Sequence, residues 1–132
     1  MLPKRILVPL GRSAKDLKSV HYSLSLAERL QAQVYILQQA AVTGLENPRS
    51  VWLDEALLDL INTARQAGLT VSHHIADGEL RGEIIAMARA EGIDVLVFGE
   101  EERIGERFLV QLKSLVAGQI IQVKEKDHVS YL

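Results

Sequence analysis

Cysteine is absent from the 132 residues, so disulfides, thiolate catalysis and cysteine-ligated zinc are excluded by residue type. Net charge is nearly absent too. Fifteen basic residues against 17 acidic ones leave a formal -2, which supplies no global attraction to nucleic acid or to an anionic membrane surface. Long apolar runs are missing: no segment approaches the ~20 residues of a membrane span. The run after Lys4 and Arg5 extends for about six residues, short of the roughly 7–15 of a secretory leader. The expectation is a cytoplasmic protein with no nucleic-acid or membrane partner. Proline-rich linkers and internal repeats are missing as well, so residues 1–132 read as one domain, large enough to bury a core without covalent staples.

What is present alternates between two periodicities. Arg5–Leu10 is a continuous apolar run, as expected of a central strand covered on both faces of a parallel sheet. Ser13 and Asp16 resemble a capping box ahead of Leu17, Val20, Leu24, Ala27 and Leu30, which recur at helical spacing. Gln33–Gln38 reads as a second strand and residues 40–50, with Gly44 and Pro48, as a polar mobile loop. From Val51, the residues Leu53, Ala56, Leu57, Leu60, Ile61 and Ala64 predict an amphipathic helix stopped by Gly68, with Trp52 as a staple at its start. Thr70–Ala76 alternates like an edge strand. A helix from about Leu80 closes at Gly92, and Val95–Gly99 is a second deeply buried strand. Ile104, Phe108, Leu109, Leu112 and Val116 mark a last helix over Ile104–Ala117, capped by Gly118. Gln119–Lys124 forms a final strand, and the tail from about Glu125 is expected to fray.

The order β-α-β-α-β-α-β-α-β predicts a right-handed doubly wound parallel sheet of five strands with helices on both faces. Ligands of such sheets sit at the carboxyl ends of the strands that flank the reversal of winding. Here those ends are the turns at Leu10-Gly11-Arg12-Ser13 and at Gly99.

At these turns the chain resembles the universal stress protein family over nearly its whole length. Ile6-Leu7-Val8-Pro9, Ala27-Glu28-Arg29-Leu30, Asp77-Gly78 through Ile84-Ile85, and above all Gly92-Ile93-Asp94-Val95-Leu96-Val97-Phe98-Gly99 carry the resemblance. It implies a Rossmann-like, adenine nucleotide alpha hydrolase-like fold of strand order 3-2-1-4-5, and homodimers that pair through the last strand. It also implies ATP binding where two motifs are kept: an Asp two residues after the opening Val-Pro, and a Gly-x2-Gly-x9-Gly-Ser loop after the fourth strand. Neither is kept here. The Asp position is Gly11. Gly99 matches the first loop glycine, but the second falls on Glu102, whose side chain blocks close backbone approach and whose charge repels phosphate. Counting forward puts the terminal Gly-Ser pair on Lys113-Ser114. Counting back from Val123 puts it on Glu106-Arg107, which keeps the last helix whole and is preferred. The chain therefore resembles a branch of the family that does not bind ATP. Pro9, Gly11, Arg12, Ser13, Gly99, Arg103 and Arg107 remain as a vestigial ligand site without a cofactor.

The alternative is an adenine-nucleotide sensor, binding ATP with magnesium, in which Arg12, Arg103 and Arg107 offset the charge of Glu100-Glu101-Glu102. That acidic triple reads as a solvated turn, with a divalent-cation site as the sharper alternative. His73 and His74 are adjacent on a strand and point to opposite faces, so they do not jointly chelate a metal; His21 and His128 have no ligand spacing. Ser13 lacks the Gly-x-Ser-x-Gly elbow of a hydrolase nucleophile, and nothing assembles an acid, a base and a nucleophile, so no enzymatic activity is expected. The expected function is a non-enzymatic stress-response or regulatory homodimer, paired antiparallel through Ile120, Ile121, Gln122 and Val123.

Overall fold

The computed structural model describes residues 3–40, 48–125 and 128–132. The strands are β1 (Arg5–Leu10), β2 (Gln33–Gln39), β3 (Val71–Ala76), β4 (Val95–Phe98), β5 (Gln119–Glu125) and β6 (His128–Tyr131). The helices are α1 (Lys18–Leu30), α2 (Pro48–Gln66), α3 (Leu80–Glu91) and α4 (Glu106–Lys113). The sheet runs β3-β2-β1-β4-β5-β6, parallel from β3 to β5, with β6 antiparallel to β5. The doubly wound parallel architecture is therefore as expected.

The strand pleat sorts the core into two layers, because successive side chains of β1 point to opposite faces. Ile6, Val8 and Leu10 pack with Val20 and Ala27 of α1 and with Leu57 and Ile61 of α2. Leu7 faces the other way, onto a layer that includes Leu80 and Ile84 of α3, Phe98, and Phe108 and Leu112 of α4. Being buried on both faces is what makes β1 and β4 uninterrupted apolar runs. Emptying one such site, for example Phe98→Ala, costs about 3–5 kcal/mol.

The helix ends differ from expectation in three places. Gly68 and Gly92 do take the left-handed conformation expected of them, at φ 95° and 64°. Ser13 makes no cap: α1 begins at Lys18, whose N–H donates to Asp16 Oδ1 at 3.0 Å. Ser13 lies in the preceding turn, closed by Ala14 N–H donating to the Gly11 carbonyl at 3.1 Å, too early to reach the helix amides. Gly118 is not a left-handed cap either. An added Cβ there would lie 2.4 Å from the Asp94 carbonyl oxygen, so glycine is needed for close approach to the entry of β4. The last helix stops at Lys113, four residues short of Ala117, although Val116 stays buried.

Trp52 is 69% exposed on α2, not packed down as a staple would be. The loop expected over residues 40–50 is interrupted by the start of α2 at Pro48, and its residues 41–47 lie outside the described ones.

The main correction concerns the tail. Instead of fraying, it returns as β6, placing Val129 opposite Val123 and donating the Leu132 N–H to the Ile120 carbonyl at 2.8 Å. Val129 packs on the core layer beneath β5. Gln119–Lys124 is therefore not an open edge: β5 is paired on both sides, and among the described residues the outermost strands are β3 and β6.

Candidate functional site

All βα turns of a parallel sheet emerge on one rim, and the winding reverses between β1 and β4. A cleft of about 350 Å³ opens there, at the carboxyl ends of these two strands. Gly11, Arg12 and Ser13 line it from β1, Gln39 from β2, and Phe98, Glu102 and Arg103 from β4 and the turn that follows. The remaining wall comes from the start of α3 and of α4, including Leu80, Arg81, Ile84 and Phe108.

The turn after β4 folds inward over the mouth. Glu102 Oε1 accepts the Gly11 N–H at 3.1 Å, and Glu101 Oε1 accepts the Lys15 N–H at 3.2 Å. Both contacts use the absence of a side chain: a Cβ on Gly11 would lie 2.5 Å from Glu102 Oε1, and one on Gly99 2.8 Å from Glu101 Oε2. The glycines at the mouth are thus met by carboxylates of the chain itself. From β5, the Gln122 side-chain amide donates to the Gly99 carbonyl at 3.1 Å and to the Glu102 carbonyl at 2.8 Å, fixing the turn from behind. Burial pushes the Glu102 carboxyl above the ordinary carboxylate range; the Gly11 N–H opposes this, the neighbouring Glu101 adds to it, and Arg81 counters it.

Two arginines beside this plug make side-chain contacts. Arg12 Nε donates to the Ala40 carbonyl at 2.8 Å. The Arg81 guanidinium stands 5.0 Å from the centre of the Phe108 ring, a cation–π arrangement, and donates to the Arg103 carbonyl at 3.4 Å.

Of the residues singled out in the sequence, Gly11, Arg12, Ser13 and Arg103 meet in the cleft, with Gly99 beside it under the plug. Pro9 is buried within β1 opposite Leu37, and Arg107 is exposed on the first turn of α4; neither lines the cleft. Ile120, Ile121 and Val123 are core residues, and Gln122 is the clamp of the 99–102 turn. Sequence reasoning missed Gln39, Glu79, Arg81 and Phe108. Arg81 was findable from topology, since the turn after β3 must reach the same rim as those after β1 and β4.

Among the described residues no group of three or more His, Asp or Glu is placed to hold a metal ion. Glu101 and Glu102 bind separate amides instead of converging. His73 hydrogen-bonds Gln38 Oε1 at 2.9 Å, whereas His74 stacks on Tyr35 with ring centres 6.2 Å apart, so the pair has separate structural partners. Burial, then Arg65, lowers the His73 pKa. No described helix is long and apolar enough to cross a membrane.

A sequence profile of the Universal stress protein family matches residues 3–121. No curated protein matches the chain. Among solved structures, the universal stress protein UspA from Lactobacillus plantarum is 19% identical, covering 94% of this chain and 99% of its own, with a TM-score of 0.58. The universal stress protein from Archaeoglobus fulgidus in complex with dAMP is 17% identical over 94% of this chain and 100% of its own, at a TM-score of 0.59. A family protein from Arabidopsis thaliana with AMP bound is 14% identical over 95% and 94%, at 0.56.

Proposed function

Since the chain belongs to the universal stress protein family, we propose that it is a non-enzymatic stress-response module whose own carboxylates fill the ligand mouth, so that ATP is not bound. The observation that carries this reading is the hydrogen bond from the Gly11 N–H to Glu102 Oε1 at 3.1 Å. A phosphate set on that amide would meet the Glu102 carboxylate. At about 4 Å and an effective dielectric constant of roughly 20, two like charges repel by about 4 kcal/mol.

The test is thermal unfolding with millimolar ATP and magnesium. Ligand at a hundred times its dissociation constant stabilises by about 2.7 kcal/mol, which for a chain of this length is a rise of roughly 10 °C. No shift is the expected result, and a rise of several degrees refutes the reading.

A second reading is favoured by the three arginines on the cleft and by the relatives solved with dAMP and AMP. In it the chain senses an adenine nucleotide through Gly11, Arg12, Ser13, Gly99 and Arg103 in a changed geometry. Saturable stabilisation by AMP distinguishes it from the first.

The module acts as a homodimer in the same proposal, now paired through the exposed edge of β6 and not through β5. Monomer alone in light scattering at micromolar concentration rules the dimer out.

A further inference from the structure

The lining of the cleft sorts by chemistry. Leu80, Ile104 and Phe108 supply apolar lining from α3, the turn after β4 and α4, backed by Ile84 and Phe98, which are almost fully buried. Arg12, Arg81 and Arg103 stand around it. Arg81 is exposed, lies 5.0 Å from the centre of the Phe108 ring and reaches the Arg103 carbonyl at 3.4 Å. A guanidinium set over an aromatic face suits the planar, bidentate geometry of a carboxylate, and the apolar lining beside it suits an apolar body. Charge narrows the class. Three arginines against Glu79 and Glu102 leave one surplus positive charge among the lining residues. One carboxylate neutralises it, whereas a triphosphate would exceed it several-fold. The volume of about 350 Å³ sits at the small end of ligand pockets, which span roughly 300–1,000 Å³.

We propose that the cleft binds a small organic monocarboxylate with an aromatic or branched apolar body. Its carboxylate pairs with Arg81, and its body lies against Leu80, Ile104 and Phe108. The proposal rests on the preceding reading, in which Glu102 keeps nucleotide phosphates out, and extends it from an exclusion to a ligand class.

The test titrates the whole chain with phenylacetate, followed by backbone amide NMR shifts. Acetate, which lacks the body, and phenylacetamide, which lacks the charge, serve as controls. Saturable shifts at Arg81, Ile104 and Phe108 are expected, with a dissociation constant of about 1 mM or below. Both controls and the Arg81→Gln variant should bind about tenfold more weakly or worse. Arg81→Lys, which keeps the charge without the fork, should recover only part of the affinity, and it serves where Arg81→Gln does not fold. The proposal is overturned if no saturable shift occurs, if acetate or phenylacetamide binds as well as phenylacetate, or if a folded Arg81→Gln chain binds it undiminished. ATP with magnesium, titrated in parallel, reports on the preceding reading separately. Binding of neither ligand overturns the monocarboxylate alone, and binding of ATP without phenylacetate overturns both.

Discussion

Replacing Gln122 by alanine removes both donors that hold the turn after β4. The two bonds, at 3.1 and 2.8 Å to the carbonyls of Gly99 and Glu102, are partly buried. Each contributes roughly 0.5–1.5 kcal/mol net, so Gln122→Ala should lose about 1–3 kcal/mol. For 132 residues, an unfolding entropy of about 2.1 cal/mol/K per residue makes this a fall of about 4–11 °C in Tm. Urea unfolding should show a lower midpoint at an unchanged slope, since the surface exposed on unfolding is nearly the same. Gln122→Glu should be worse than Gln122→Ala, because it turns a carboxylate oxygen toward two carbonyl oxygens. A loss below about 0.5 kcal/mol for the alanine variant, or equal stability of the two variants, would refute the clamp.

Glu102 provides a pH test. Its folded pKa is raised, so its contribution to stability is present at acidic pH and is lost as pH rises through the folded value. Glu102→Gln keeps an acceptor for the Gly11 N–H and does not titrate; from about pH 4 to about pH 7 the parent should therefore lose stability relative to the variant, read from urea midpoints. A gap that is constant, or that widens in the opposite direction, contradicts the assignment. Gly118→Ala should destabilise by about 1–3 kcal/mol, because its Cβ meets backbone at 2.4 Å. Gly82→Ala, in α3 with nothing within 4 Å, should stabilise by about 0.5–1 kcal/mol. Calorimetric melting of both chains checks the pair, and a Gly118→Ala chain as stable as the parent removes the close-approach argument.

The parts of the fold legible in the sequence were those where one residue pattern has one physical solution. Arg5–Leu10 and Val95–Phe98 are apolar on both faces and had to be central strands. Gly68 and Gly92 end helices where few other residues take a positive φ. β6 was illegible because it has only four residues and a single core contact at Val129, a signal too short for periodicity to register. Trp52 departs from expectation because apolar character alone does not fix which side of α2 a residue takes, and at 69% it is exposed. At the mouth, Glu100-Glu101-Glu102 reads from sequence as a solvated turn, whereas Glu102 is half-buried with its carboxylate on the Gly11 N–H. Their charge was legible, but their direction was not. That Glu102 turns inward onto Gly11 depends on Gln122, twenty residues further along and on another strand.

The strand order also bears on how the chain assembles. β1 pairs with β2 through Arg5–Gln33 and with β4 through Ile6–Val95, so it borders both halves of the sheet. During vectorial synthesis the half β3-β2-β1 has all its strands once Ala76 has emerged, yet one flank of its most apolar strand stays bare until Val95 follows. Non-local parallel pairing of this kind is slow and leaves sticky surface exposed. The interval between those two residues, spanned by α3, is the stretch of synthesis over which that flank of β1 has no strand to pair with.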